Sequence, residues 1–145
     1  MVTYEDILVP TDGSSGSGRT IDHAVSIARD NDATLHGLFV VDKRRYRAAD
    51  EETTDDVRAS LEEEGDRALD DLTVRGEEGG ARVMTDRREG IPHRTIIDYA
   101  EDEGIDLIVM GTHGRTGRNR AATLGSVTER VVKGAEVPVL VVQID

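Results

Sequence analysis

Glycines and arginines are concentrated in one segment of the chain that precedes its last helical pattern. Residues 111–117 read Gly-Thr-His-Gly-Arg-Thr-Gly, and Gly125 and Ser126 come directly before that helix. Glycine lets a phosphate approach the backbone closely, and the orphan N–H groups of a helix N-terminus attract anions. We predict that this segment binds phosphate, with the Ser126 hydroxyl donating to the ligand or capping the helix. The alternative is an ordinary connecting loop with a capping serine.

The same segment carries positive charge in a strongly acidic chain, on Arg115, Arg118 and Arg120. His113 is a further candidate phosphate contact, with a solvent-exposed turn histidine as the alternative. The segment is not a P-loop, because no Gly-Lys-Ser/Thr triplet follows the required gap. Its glycines also lack the spacing of the dinucleotide-binding fingerprint.

Short β-rich runs alternate with helical periodicity along the chain, which predicts βαβ units and a parallel sheet. Strands are predicted at 7–9, 34–41, 81–85, 107–110 and 137–142. Helices are predicted around 21–28, 57–72, 91–100 and 126–135. We therefore predict an α/β fold with a doubly wound five-stranded parallel sheet and helices on both faces. The length suits one domain over residues 1–145.

Ligands of such sheets bind beyond the carboxyl ends of the strands, where the strand order reverses. The two most glycine-rich turns follow strands one and four. If those strands are neighbours, both turns line one crevice. Asp12 lies in the first of these turns, either as a ligand contact or as a turn residue whose carboxylate bonds its own backbone.

The charge balance excludes some partners and points to a setting. Thirty acidic and 18 basic residues give a formal charge of −12, which disfavours nucleic acid and anionic membranes. At about 1 M salt the Debye length falls to roughly 3 Å, so self-repulsion is screened. Together with few lysines and few aromatics, the acidity predicts a salt-loving cytoplasm, with an ordinary acidic protein as the alternative.

Several kinds of site and segment are not expected. The chain has no cysteine, so it has no disulfide or thiolate metal site and fits a reducing cytosol. Its first residues lack the basic and apolar regions of a signal peptide, and no apolar run approaches the length of a membrane span. The four histidines share no metal-ligand spacing, so no protein-held metal site is expected.

The sequence resembles the universal stress protein family over its whole length. The resemblance rests on an ordered set of short matches, each weak alone: residues 7–14 (Ile-Leu-Val-Pro-Thr-Asp-Gly-Ser), 40–42 (Val-Val-Asp), 90–92 (Gly-Ile-Pro), 125–132 (Gly-Ser-Val-Thr-Glu-Arg-Val-Val) and 137–142 (Val-Pro-Val-Leu-Val-Val). The composition favours a halophilic archaeon as the source. The resemblance implies the strand order 3-2-1-4-5 and a homodimer that pairs through the fifth strand at Val137–Val142.

The resemblance to the ATP-binding branch of the family also implies a set of ligand contacts. Asp12 accepts hydrogen bonds from ribose hydroxyls or helps to hold a metal, and Val40 offers backbone groups to adenine. The triphosphate is held through backbone N–H groups, with Mg²⁺ carried on the phosphates. The implied or candidate ATP contacts are Pro10, Thr11, Asp12, Val40, Met110, Gly111, His113, Gly114, Arg115, Gly125, Ser126, Val127 and Thr128.

One departure from the family pattern concerns the spacer between Gly114 and Gly125. The ATP-binding motif has nine residues there, and this chain has ten, Arg115 to Leu124. The leading function is a nucleotide-binding stress-response module with little or slow hydrolysis, because no general base is poised for that reaction. A nucleotide-free dimeric interaction protein is the second hypothesis, and the longer spacer favours it.

Two further hypotheses complete the expectations. An adenylyl-transferring or pyrophosphate-releasing enzyme with a similar sheet ranks third, because residues 11–16 do not match the Ser-Gly-Gly-x-Asp-Ser loop of such enzymes. The basic cluster at 43–47 follows strand two on the side of the expected site. It is interpreted as a phosphate or partner contact, with pairing to the acidic residues 50–52 as the alternative.

Overall fold

The structure, a computed structural model, describes residues 1–14, 16–47, 51–112 and 124–144, with the backbone alone at 51 and 52. Strands and helices alternate along these ranges. Their bounds are β1 Asp6–Pro10, α1 Ser17–Asn31, β2 Thr34–Asp42, α2 Lys43–Arg47, α3 Glu51–Glu78, β3 Arg82–Gly90, α4 Pro92–Asp102, β4 Leu107–Gly111, α5 Ser126–Gly134 and β5 Val139–Val142. None of the helices in the described ranges is both long and apolar enough to cross a bilayer.

The five described strands form one parallel sheet in the order β3-β2-β1-β4-β5. Alternate residues of β1 are buried on opposite faces, as expected of a strand covered on both sides. Ile7 and Val9 pack with α1 and Leu72 of α3, whereas Leu8 packs with α4 and Val131 of α5. The predicted doubly wound fold and its strand order are confirmed.

The sheet is unevenly joined. Strands β2 and β3 are in register over nine residue pairs, from Thr34–Arg82 to Asp42–Gly90. The register of β1 with β4 covers two pairs, Ile7–Leu107 and Leu8–Ile108. The weaker junction lies at the switch point, where the strand order reverses.

Several predicted bounds are wrong. Strand β3 runs to Gly90 rather than stopping at residue 85, because an edge strand tolerates exposed charged side chains. Helix α3 runs from Glu51 to Glu78, beyond both ends of the predicted range 57–72. Strand β5 begins at Val139, two residues later than predicted. The short helix α2 was not predicted at all.

A buried histidine ties β1, β2 and α4 together at the end of the sheet where the strands begin. The side chain of His36 lies with Nε2 2.9 Å from Oδ1 of Asp6 and Nδ1 2.9 Å from the Tyr99 hydroxyl oxygen. His36 and Tyr99 are each 3% exposed. Burial, reinforced by nearby carboxylates, raises the pKa of Tyr99 to about 12. The guanidinium carbon of Arg88 lies 4.6 Å from the centre of the Tyr99 ring.

Candidate functional site

A cavity of about 500 Å³ opens at the carboxyl ends of β1, β2 and β4. This position is the switch point of the sheet, where open α/β folds bind their ligands. The volume falls within the range of small-molecule sites. Its walls come from the turn after β1, the end of β2, α2, the start of α4, the end of β4 and the start of α5.

The structure brings ten of the thirteen predicted contact residues together around this cavity. The ten come from four separate parts of the chain: Pro10, Thr11, Asp12, Val40, Met110, Gly111, Gly125, Ser126, Val127 and Thr128. The other three, His113, Gly114 and Arg115, lie outside the described residues. That these residues bind a ligand remains a prediction; the structure shows that all ten line one cavity.

The N-terminus of α5 forms the end of the cavity predicted to bind phosphate. Gly125 precedes the helix in an extended conformation, with φ −61° and ψ 154°, and its carbonyl accepts the first helical hydrogen bond from Glu129. The N–H groups of Ser126, Val127 and Thr128 therefore have no carbonyl partner within the helix. Three donors and the positive end of the helix dipole meet at this point.

Two hydrogen bonds fix this helix to the end of β4. The Thr128 hydroxyl donates to the carbonyl oxygen of Gly111 at 2.9 Å, and the Gly125 N–H donates to the carbonyl oxygen of Thr112 at 2.7 Å. Thr128 is 3% exposed. Its hydroxyl proton is thus committed to the protein, so its predicted contact with phosphate is limited to the backbone N–H.

The turn after β1 places Asp12 in the cavity wall. An oxygen of the Asp12 carboxylate accepts the N–H of Ser14 at 2.9 Å, and the Thr11 hydroxyl oxygen accepts the N–H of Gly13 at 3.2 Å. Gly13 has φ +75°, a conformation that glycine adopts without steric cost. Asp12 therefore acts as a turn residue, and the same turn leaves it among the cavity residues.

The backbone of Val40 faces the cavity just beyond the end of β1. The N–H of Thr11 donates to the carbonyl oxygen of Leu38 at 2.9 Å, so the backbone polar groups of Leu38 face β1. Alternate residues of a parallel strand face the same neighbour. The N–H and carbonyl of Val40 therefore point to the same side, past Pro10, where β1 has ended.

Hydroxyl groups at the start of α1 line the cavity and were not predicted as site residues. The Thr11 hydroxyl donates to Oγ of Ser17 at 3.3 Å, and the hydroxyl oxygens of Ser14 and Ser17 are 3.5 Å apart. Thr20 is 4% exposed, and its hydroxyl has no hydrogen-bond partner within the described part of the chain. Only their position between strand one and the first turn of the following helix could have marked Ser14 and Ser17 as cavity residues.

The segment after β5 lines the cavity at Ile144, between Thr112 after β4 and Gly16 before α1. The backbone N–H of Ile144 donates to the Thr112 hydroxyl oxygen at 3.3 Å. A Cβ on Gly16 would lie 2.3 Å from Cδ1 of Ile144, so a side chain at residue 16 would require Ile144 to shift. No pattern in the sequence marked Ile144 as a cavity residue, because its place depends on the tertiary fold.

The basic cluster at 43–47 forms α2 and the adjoining rim of the cavity. Arg44 donates to both carboxylate oxygens of Asp42, from Nε at 2.9 Å and from Nη2 at 2.8 Å. This hydrogen bond lowers the pKa of Asp42 and raises that of Arg44. The described partner of the cluster is thus Asp42. The expected pairing with residues 50–52 lies outside the described side chains.

Metal-binding groups are sparse around the cavity. The described residues contain no cluster of three or more His, Asp or Glu side chains positioned to hold a metal ion. The two carboxylates in the cavity wall are Asp12 and Asp42. Asp42 is paired with Arg44 through both carboxylate oxygens.

The fold and the cavity define a Rossmann-like α/β protein with a cavity at the switch point of its sheet. Residues 3–143 match the model of the universal stress protein family. The chain belongs to this family.

Individual relatives agree in sequence and in structure. Universal stress protein MJ0531 of Methanocaldococcus jannaschii is 42% identical over 141 residues, covering 97% of this chain and 82% of the relative. The solved structure of protein MJ0577 of the same organism superposes with a TM-score of 0.87 at 35% identity, with 99% of each chain covered. The universal stress protein UspA of Lactobacillus plantarum gives a TM-score of 0.84 at 33% identity, covering 98% of this chain and 99% of that one.

Proposed function

We propose that this protein binds ATP in the cavity at the switch point and acts as a nucleotide-dependent module of the stress response. The observation that carries the proposal is the N-terminus of α5. Three backbone N–H donors, of Ser126, Val127 and Thr128, lie in the wall of the same cavity as Asp12 and Val40. An anion, a sugar and a base can therefore be held at once.

The base is assigned to the end of β2. Adenine presents an acceptor and a donor side by side on one edge, and the backbone of Val40 presents the matching N–H and carbonyl. Apolar side chains of Pro10 and Met110 line the same cavity and suit the faces of a base. Ile96 of α4 adds apolar surface that sequence reasoning had not included.

The ribose and phosphates then extend towards Asp12 and α5. The Asp12 carboxylate retains acceptor capacity beyond its bond to the Ser14 N–H, since an ionised carboxylate accepts several hydrogen bonds. Mg²⁺ is assigned to the phosphates, with Asp12 as a candidate protein ligand, because Mg²⁺ usually keeps waters and few carboxylates.

Two proteins of the same fold support the class of ligand. One, 24% identical, was crystallised in complex with cAMP, and another, 22% identical, was solved in complex with dAMP. At 24% and 22% identity, the two structures indicate only that this fold can bind adenine nucleotides. The residues of this chain carry the rest of the argument.

We assign a regulatory rather than a catalytic role. The described cavity residues include no histidine or other group placed as a general base beside the α5 N-terminus. A ligand that contacts both sides of the switch point can instead favour the conformation in which those contacts form. Occupancy of the cavity would then shift the conformational equilibrium of the protein. The proposal takes residues 1–145 as one domain in the cytoplasm of a halophilic archaeon, on the cysteine-free, acidic composition.

The homodimer is assigned to β5. This strand pairs with β4 on one side and leaves its other edge open. Leu140 is 37% exposed, and Val132 on neighbouring α5 is 43% exposed. An open apolar edge next to an exposed apolar helix residue favours pairing with a second copy.

The test is calorimetric titration of Mg-ATP into the protein in about 1 M potassium chloride, where charge repulsion is screened. Two variants at one position isolate the phosphate contact. Ser126→Pro removes the hydroxyl and one backbone N–H, at the first helical position, which accepts proline. Gly125 already has the extended conformation that a following proline requires. Ser126→Ala removes the hydroxyl alone.

We expect one ATP per chain. Ser126→Pro should weaken binding about tenfold, as for the loss of one hydrogen bond to a charged group, and Ser126→Ala less than about threefold. Equal losses in both variants would assign the contact to the hydroxyl. The absence of any binding heat from the folded protein would instead favour the nucleotide-free interaction protein, the reading supported by the ten-residue spacer.

A further inference from the structure

One arginine in the cavity wall forms no salt bridge with any described carboxylate. Arg45 lines the cavity beside Asp42 and Pro92. Asp42 is already paired with Arg44 through both carboxylate oxygens. Within the described part of the chain, Arg45 forms no ion pair. The α2 end of the cavity therefore has a net positive charge, in a protein whose formal charge is −12.

The short helix that carries Arg45 is held in place by the next residue. Tyr46 is 7% exposed and packs with Phe39 and Val41 of β2. Its hydroxyl donates to the carboxylate of Glu89 on β3. Arg58 of α3 pairs with the same carboxylate at 2.8 Å, and its guanidinium carbon lies 5.7 Å from the centre of the Tyr46 ring. The backbone of Arg45 is thus anchored at the rim.

Further cations surround this end of the cavity. His93, next to the cavity residue Pro92, lies near Arg44 of α2, Arg94 of α4 and Arg130 of α5. Partial burial and these three arginines lower its pKa. Glu89 of β3 and Glu129 of α5 form ion pairs of their own, with Arg58 and Lys133, each at 2.8 Å. These two carboxylates are thus engaged away from Arg45.

We infer that Arg45 binds a second anionic group of the ligand, so that the site takes an adenine nucleotide with a phosphate on the ribose in addition to its 5′ phosphate chain. This inference rests on the proposed function. The 5′ phosphates occupy the N-terminus of α5. Arg45 follows Val40 and Asp42 at the end of β2, on the nucleoside side of the cavity. A second phosphate on the ribose 2′ or 3′ oxygen lies on that side, whereas a longer 5′ chain does not.

The test compares ligands of equal phosphate number. ADP carries both phosphates on the 5′ oxygen, whereas adenosine 3′,5′-bisphosphate and adenosine 2′,5′-bisphosphate divide them between the two ends. Affinities are measured by calorimetry in the lowest potassium chloride concentration that keeps the circular dichroism of the folded state. The variants are Arg45→Gln and, as matched control, Arg47→Gln. Arg47 lies in the same helix, is exposed and does not line the cavity.

We expect at least one bisphosphate to bind more tightly than ADP. Arg45→Gln should weaken that bisphosphate about tenfold and ADP less than about twofold, and Arg47→Gln should change neither by more than about twofold. The inference is overturned if neither bisphosphate exceeds ADP. It is also overturned if Arg45→Gln and Arg47→Gln lose the same affinity for the bisphosphate, or if Arg45→Gln weakens the binding of all ligands equally. Binding of ADP without such preference leaves the proposed function standing, whereas no binding of any nucleotide overturns both.

Discussion

The carbonyl oxygen of Thr112 accepts a hydrogen bond of 2.7 Å from the backbone N–H of Gly125. These two residues flank the segment 113–124, and their hydrogen bond joins the end of β4 directly to the start of α5. The position of the α5 N-terminus is therefore set by this bond and by the Thr128 hydroxyl. The extra spacer residue, relative to the ATP-binding motif, lies outside this junction.

Removing one residue from the spacer should accordingly have little effect on phosphate binding. We expect deletion of Asn119, which restores nine residues between Gly114 and Gly125, to change the ATP dissociation constant less than about threefold. Calorimetric titration of Mg-ATP measures the effect, with the full-length spacer as reference. A gain of more than about tenfold would show that spacer length, rather than the α5 N-terminus, limits the affinity.

Thr128→Val should reduce both stability and ligand binding. Valine has a similar shape but leaves the carbonyl of Gly111 without its donor, which costs about 1–2 kcal/mol when the group is buried. Because the N-terminus of α5 is then held less firmly, the affinity for ATP should also fall several-fold. Urea unfolding and calorimetry measure the two effects. Thr128→Ser keeps the hydroxyl and should retain most of the ATP affinity. If Thr128→Ser lost as much affinity as Thr128→Val, the explanation would be refuted.

Tyr99→Phe should destabilise the fold without affecting the cavity. The change removes the hydroxyl that lies 2.9 Å from Nδ1 of His36, at the far end of the sheet, and keeps the ring contact with Arg88. We expect a loss of about 1–2 kcal/mol in urea unfolding and unchanged nucleotide affinity. Tyr4→Phe is the control, because the hydroxyl of Tyr4 makes no hydrogen bond within the described residues. Equal costs for the two variants would contradict a special role for the His36 contact.

The raised pKa of Tyr99 predicts how stability depends on alkaline pH. Burial holds the folded pKa at about 12, above the ordinary value of 10.0, so the unfolded chain loses this proton first as the pH rises. The folded state is therefore favoured below about pH 10, and this contribution is lost as the pH approaches about 12. The unfolding free energy of the native protein should fall more steeply over this interval than that of Tyr99→Phe. Parallel curves would contradict the prediction.

Salt should stabilise the protein strongly. With a formal charge of −12, the folded state is destabilised by self-repulsion in dilute buffer, and about 1 M salt reduces the Debye length to roughly 3 Å. We expect the melting temperature to rise steadily between dilute and molar potassium chloride. The chloride series is repeated with sodium to separate screening from specific ion binding. A melting temperature that is independent of salt would remove the basis for a halophilic setting.

The fold and ten residues of the cavity wall could be predicted from the sequence for a definable reason. The switch-point argument needed only that strands one and four be neighbours, and the family resemblance supplied that order. Residues in the turns after those strands, such as Asp12 and Gly111, could therefore be placed together before any coordinates.

The parts that sequence reasoning missed depend on contacts between distant residues. Helix α2 has only five residues and is held by Tyr46 against Glu89, so no local pattern predicts it. Ile144 enters the cavity wall because β5 directs the chain back towards Gly16. Strand β3 continues through charged residues because its open edge leaves room for them, whereas a buried strand would not.

If a nucleotide binds in the cavity as proposed, the short register between β1 and β4 would give it a mechanical role. Two residue pairs join the β1-β2-β3 part of the sheet to the β4-β5 part at this line. A ligand that contacts Asp12 on one side and Ser126 on the other crosses the line where the backbone ladder is shortest. A nucleotide in the cavity would then hold the two parts of the sheet together. The force needed to pull β1 and β4 apart would be higher when the cavity is filled.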